Sequence, residues 1–180
     1  MKSFLVILWL IASAALAEES RYGIRGLSAP EREPDLREAI KGIPGVQLVD
    51  LDLDKAEVTL QYDLSVLFPT YNPKKPVKPE DIEKSLDGKL RTATQGSFSL
   101  RPLCTIPQDQ LQRLSIKISI PDCKGCRLGT YNSIVKLDGV ELVHLSGDFS
   151  EVIALIDPMK TNRETLIEAM KKSRVEFPTP

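Results

Sequence analysis

The sequence predicts an α+β fold laid down twice, as two tandem β-α-β-β-α-β units. The first sign is a repeat: Val46-Gln47-Leu48-Val49-Asp50-Leu51 returns as Val140-Glu141-Leu142-Val143-His144-Leu145. The same offset pairs Gly45 with Gly139, Asp54 with Asp148, Glu57 with Glu151, Val58 with Val152 and Asp63 with Asp157. Upstream, Ile40 meets Ile134 and Ile43 meets Leu137, so the match reads as a tandem duplication. The second sign is a hydrophobic period that switches between alternation and helical spacing, and the third is the turn and cap residues that separate those stretches.

Within the first copy, strands are expected near residues 22–27, at 46–51 and 57–62, and at 97–100. Helices are expected over 34–41 and from 79 to about 91, where Pro79 suits a first helical turn. Residues 64–78 are an insertion without a counterpart in the second copy. Its Val66, Leu67, Phe68 and Tyr71 either pack back on their own domain or dock on a partner.

The second copy begins with an alternating strand over 114–120. Thr130, Ile134 and Leu137 share one helix face, and Gly139 ends that helix. Strands 140–145 and 151–156 are joined across Ser146-Gly147-Asp148, a hairpin signal. Thr161 and Glu164 form a capping box for a helix carrying Leu166, Ile167 and Met170, and 174–177 is a last short strand. Each unit closes as a four-stranded antiparallel sheet with both helices on one face, the ferredoxin-like arrangement.

The first 17 residues read as a signal peptide rather than structure. Lys2 is the positive start, residues 4–10 are the apolar core, and Ala15-Leu16-Ala17 is a small-residue cleavage motif. The expected organisation is a signal at 1–17, a first domain at 18–103, a linker at 104–113 and a second domain at 114–180. The chain's one tryptophan, Trp9, lies in the signal, so the mature protein is expected to lack tryptophan fluorescence. Export implies a periplasmic or secreted protein. No other stretch approaches the roughly 18 apolar residues of a membrane span.

A net charge of −1 leaves no basic footprint for nucleic acid. Three cysteines do not make the disulfide framework of a small secreted domain. The sequence holds no Gly-rich phosphate loop, no clustered histidines and no Ser-His-Asp set. A binding protein is therefore expected rather than an enzyme.

The chemistry concentrates in Ile116-Lys117-Ile118-Ser119-Ile120-Pro121-Asp122-Cys123-Lys124-Gly125-Cys126, where a strand runs into a Cys-x-x-Cys pair at the start of a helix. The partial positive charge of a helix N-terminus favours thiolate over thiol, which serves both soft-metal capture and redox exchange. The alternatives for Cys123 and Cys126 are a local disulfide or a retained but unused feature. Asp122 is either a third, carboxylate ligand that would suit zinc or an ordinary N-cap. Cys104 is a third thiolate, an intermolecular disulfide partner or a buried apolar residue. His144, aligned with Asp50, reads as a strand residue. Lys171, Lys172 and Arg174 either neutralise a metal–thiolate centre or form a solvated helix end.

On Cys123-x-x-Cys126, Leu137-Asp138-Gly139-Val140 and Leu166-Ile167-Glu168-Ala169-Met170-Lys171-Lys172, residues 114–177 resemble the heavy-metal-associated (HMA) domain. That family includes copper chaperones, mercury-binding periplasmic proteins and the N-terminal modules of metal-transporting ATPases. The first copy resembles it in skeleton alone, because Ala29 and Arg32 stand where Cys123 and Cys126 would be. The second copy departs in having Ile120-Pro121-Asp122 before the first cysteine, where Gly-Met-Thr is usual, and Val175 in place of an aromatic.

The resemblance implies one bound metal ion, Cu(I) or Zn(II), held by Cys123 and Cys126. In zinc- and cadmium-transporting relatives an Asp at the place of Asp122 looks like a further ligand. The implied role is transfer of the ion to a metal-transporting membrane protein or another metal-binding protein, or its sequestration. Thiol–disulfide exchange through the same cysteines and a non-catalytic interaction scaffold are the alternatives.

Overall fold

The computed structural model describes residues 17–121, 123–173 and 175–178. The expected signal peptide, apart from Ala17, lies outside the described residues, as do Asp122 and Arg174. The chain runs β1 (Glu18–Arg25), a 3-10 turn (Pro30–Arg32), α1 (Glu33–Lys41), β2 (Val46–Asp52), β3 (Glu57–Tyr62), a short α2 (Leu64–Leu67), α3 (Pro79–Ala93) and β4 (Ser99–Arg101). After a second 3-10 turn at Gln108–Gln110 come β5 (Gln112–Lys117), α4 (Lys124–Ile134), β6 (Val140–Leu145), β7 (Glu151–Ile156) and α5 (Arg163–Lys172). None of these helices is long and apolar enough to cross a membrane.

The result is a mixed α+β structure with two antiparallel sheets, ordered β2-β3-β1-β4 and β5-β7-β6. The expected last strand at 174–177 is reduced to one bridge, Ser119 with Glu176. Pro121 and Pro178 flank that bridge, and a proline has no N–H to extend a ladder.

Helix faces follow the apolar spacing. Leu36 and Ile40 of α1, and Ile82, Leu86 and Leu90 of α3, are buried in the first core. Ile134 of α4 and Leu166 and Met170 of α5 are buried in the second core. The insertion packs back on its own half, with Leu64 and Leu67 buried and Phe68, Tyr71 and Val77 against the first core.

Several local expectations are corrected. β1 starts at Glu18, four residues earlier than alternation indicated, because it pairs with β3 as far as Tyr62. α4 stops at Ile134, so Gly139 is not its cap. Gly139 takes φ +80° immediately before β6, as its repeat partner Gly45 takes φ +73° before β2. The capping box at Thr161 does not form. Asn162 is the N-cap of α5, its Oδ1 accepting from the Thr165 N–H at 2.9 Å, while Thr161 is buried.

The repeated hexapeptides do not share a register. β2 carries its bulge between Leu48 and Asp50, whereas β6 carries its bulge between Val140 and Leu142. A bulge shifts every later side chain to the other face. Val49 is accordingly exposed, while its counterpart Val143 is buried. Leu142 is turned into the first half's core, where Leu155 also packs.

That contact joins the two halves of the chain. The Leu145 N–H donates to the Ser28 carbonyl at 2.8 Å, and the Gly26 N–H donates to the Tyr131 hydroxyl at 2.7 Å. Arg101 approaches Glu141 at 3.7 Å.

Candidate metal centre

Cys123 is the N-cap of α4. Its backbone is extended (φ −137°, ψ 139°), and its Sγ accepts from the Cys126 N–H at 3.0 Å. A sulfur thus occupies the place that a Ser, Thr, Asp or Asn oxygen takes at a side-chain-capped helix start. Cys123 is exposed and Cys126 half-buried, and the two are joined as a disulfide with Cα atoms 5.2 Å apart. The pairing left open by the sequence is therefore closed in this structure.

A disulfide offers no thiolate, so metal uptake requires its two-electron reduction. Once reduced, the pair would lie on one helical turn beside the N-terminal end of α4, where the helix dipole favours negative sulfur. Among the described residues no group of three or more His, Cys, Asp or Glu side chains is positioned to hold an ion. The donors at hand are two sulfurs, which fit a soft ion in two-coordinate geometry. Zinc would need further ligands from Asp122, water or a partner.

The remaining sulfur and nitrogen candidates are elsewhere. Cys104 is half-buried, with its Sγ 3.7 Å from the Ile106 carbonyl, in a cavity of about 200 Å³ that it shares with Arg101 and Glu141. Burial pushes its thiol pKa up, with Glu141 adding to the effect. His144 is on β6, and burial holds its pKa below the ordinary value. Lys171 is exposed and pairs with Glu168 at 2.8 Å, the solvated-end arrangement.

The first half's equivalent loop has a different fate. Pro30 and Pro34 make the chain enter α1 through a 3-10 turn, at the place where α4 has its first regular turn. Ala29, in the position of Cys123, is buried. Arg32, in the position of Cys126, lies over the Phe98 ring at 4.6 Å and pairs with Asp35 at 3.4 Å.

This loop flanks α4. Glu31, Arg32 and Asp35 face Lys124 and Arg127 across a cleft of about 210 Å³. Arg127 in turn lies 3.6 Å from the centre of the Phe149 ring in the β6–β7 hairpin. Sequence reasoning missed this junction, because its hydrogen bonds join Gly26, Ser28, Tyr131 and Leu145 without any motif. One signal was available: Tyr131 stands three residues before Ile134, which places a tyrosine on the buried side of a helix.

No protein-family model matches the chain. No curated protein matches it either. Among solved structures, it is similar to the water-soluble region of the P-type ATPase CopA from Bacillus subtilis, at 15% identity and a TM-score of 0.34, covering 90% of each chain. It is also similar to the solution structure of the N-terminal soluble domains of Bacillus subtilis CopA, at 14% identity and a TM-score of 0.34, covering 90% of this chain and 92% of that one.

Proposed function

We propose that the chain is an exported metal-binding protein made of two tandem ferredoxin-like domains, the first degenerate and the second bearing the site. In its reduced form, Cys123 and Cys126 take up one soft or borderline ion, Cu(I) or Zn(II), and pass it to another protein or sequester it. The carrying observation is the cysteine pair on the exposed first turn of α4, with the Cys126 N–H directed at the Cys123 sulfur. The HMA resemblance of residues 114–177 supports the same reading.

The chemistry follows from exposure. Cys123 is open to solvent, so a partner's thiolate could attack an ion held there, displace one sulfur and then the other, and leave with the ion. Two protein sulfurs hold a soft ion without closing its coordination sphere, which favours transfer. The acceptor would be a metal-transporting membrane protein or a second metal-binding protein.

The disulfide itself favours a second reading, thiol–disulfide exchange. There the thiolate of Cys123 attacks a substrate disulfide, and Cys126 resolves the mixed disulfide, restoring the Cys123–Cys126 bond and releasing two substrate thiols.

Titration of the reduced, oxygen-free protein with Cu(I) and Zn(II) against competing chelators separates the readings. Tight uptake of one ion per chain, lost in a Cys123→Ser, Cys126→Ser variant, is expected for a metal carrier. Equally weak binding in both proteins would overturn it and leave thiol exchange or a non-catalytic interaction scaffold.

A further inference from the structure

α4 is a weak helix that performs two tasks. Its first turn carries the cysteine pair, and its Tyr131 accepts the Gly26 N–H of the other half. Eleven residues long, it contains Gly125 and Gly129. Neither glycine has a packing reason: both are exposed, and a Cβ built on either would meet nothing within 4 Å. Glycine is among the poorest helix formers, so each of these positions weakens α4 against alanine for no steric gain.

The Cys123–Cys126 bond therefore clamps a turn that the backbone alone secures poorly. The link from that turn to the junction is continuous. The Cys126 carbonyl accepts from the Thr130 hydroxyl at 2.9 Å, and Thr130 and its neighbour Tyr131 are both buried. Another hydrogen bond between the halves, from the Leu145 N–H to the Ser28 carbonyl, leaves from β6 and has no part in α4.

We propose that α4 is a latch through which the state of the cysteine pair sets how firmly the first half's degenerate loop is held. With the pair closed, the first turn is pinned and Tyr131 retains Gly26. Opening the pair lets the turn fray toward Thr130 and Tyr131, and the grip on Gly26 loosens while the β6 contact persists. Reduction by an added dithiol breaks the S–S bond and forms two thiols on the protein, and the dithiol's own two thiols become a disulfide. An ion bridging both sulfurs would pin the turn again. That re-pinning by an ion, and nothing else in the latch, rests on the metal-binding reading.

Amide hydrogen exchange on the full chain tests the latch. On reduction the Gly26 amide is expected to exchange about tenfold faster or more, while the Leu145 amide stays within about twofold. Gly129→Ala, which strengthens the helix without a clash, should shrink the Gly26 change to a small fraction of its size. Tyr131→Phe should make Gly26 exchange fast in both states.

Equal Gly26 protection in disulfide and dithiol forms would overturn the latch, as would parallel loss at Leu145 and Gly26 or an undiminished change in Gly129→Ala. Adding Cu(I) or Zn(II) to the dithiol form separates the two ideas. Absence of metal binding with a clear reduction effect would sink the metal reading and leave the latch. Tight binding with no reduction effect would do the reverse.

Discussion

Two side chains at the junction carry more consequence than their chemistry suggests. The Tyr131 hydroxyl is the acceptor for the Gly26 N–H, and the ring around it is 3% exposed. Tyr131→Phe keeps the ring's packing but leaves a buried N–H without a partner. It should cost about 1–3 kcal/mol, read as a lower urea midpoint with an unchanged slope. His144 adds a pH dependence. Burial holds its pKa below the ordinary value, Asp54 opposes the shift, and Arg113 reinforces it. The unfolded chain therefore binds the proton more readily than the folded one. The stability contributed by neutral His144 is complete above about pH 6.5 and falls as pH drops below that value toward the folded pKa. Thermal midpoints at pH 7.5 and 5.5 should differ less in His144→Gln than in the wild type. An equal difference in both proteins would assign the slope to other groups.

The elements show where pattern reading succeeds and where local geometry decides. α1, α3 and α5 were legible because Leu36 and Ile40, Ile82 through Leu90, and Leu166 and Met170 repeat at helical spacing. The cysteine pair was legible for a related reason, since a motif beside a strand end needs no tertiary contact to be recognised. The cap of α5 was not. Thr161 and Glu164 match the box in spacing, yet Asn162 takes the extended conformation (φ −147°) that a cap requires. Asn162→Ala should therefore destabilise by about 1 kcal/mol, and Glu164→Ala by much less, in denaturant titrations. The reverse ranking would restore the box. Register was also hidden: Val46-Gln47-Leu48-Val49 and Val140-Glu141-Leu142-Val143 are almost the same text, but their bulges fall at different places. A one-residue bulge has no strong composition, and its position follows from what covers the outer face of the strand.

At the scale of the molecule, that bulge is what couples the halves. By turning Leu142 into the first core, it makes a residue of the second sheet part of the hydrophobic interior of the first. The Leu145–Ser28 and Gly26–Tyr131 hydrogen bonds add to that contact, and the residues that make them are buried. Duplicated units joined only by a linker would unfold independently, each with its own midpoint. A shared core residue and two buried hydrogen bonds instead oppose separate melting, since losing either half strips partners from the other. Calorimetry of the disulfide form should show one transition whose calorimetric and van't Hoff enthalpies agree. Leu142→Ala removes the shared side chain, at a cost of about 2 kcal/mol or more. Combined with Tyr131→Phe, it should resolve the melt into two transitions. Two transitions already present in the wild type, with Leu142→Ala lowering only one, would mean that the contact stabilises its host core without tying the halves together.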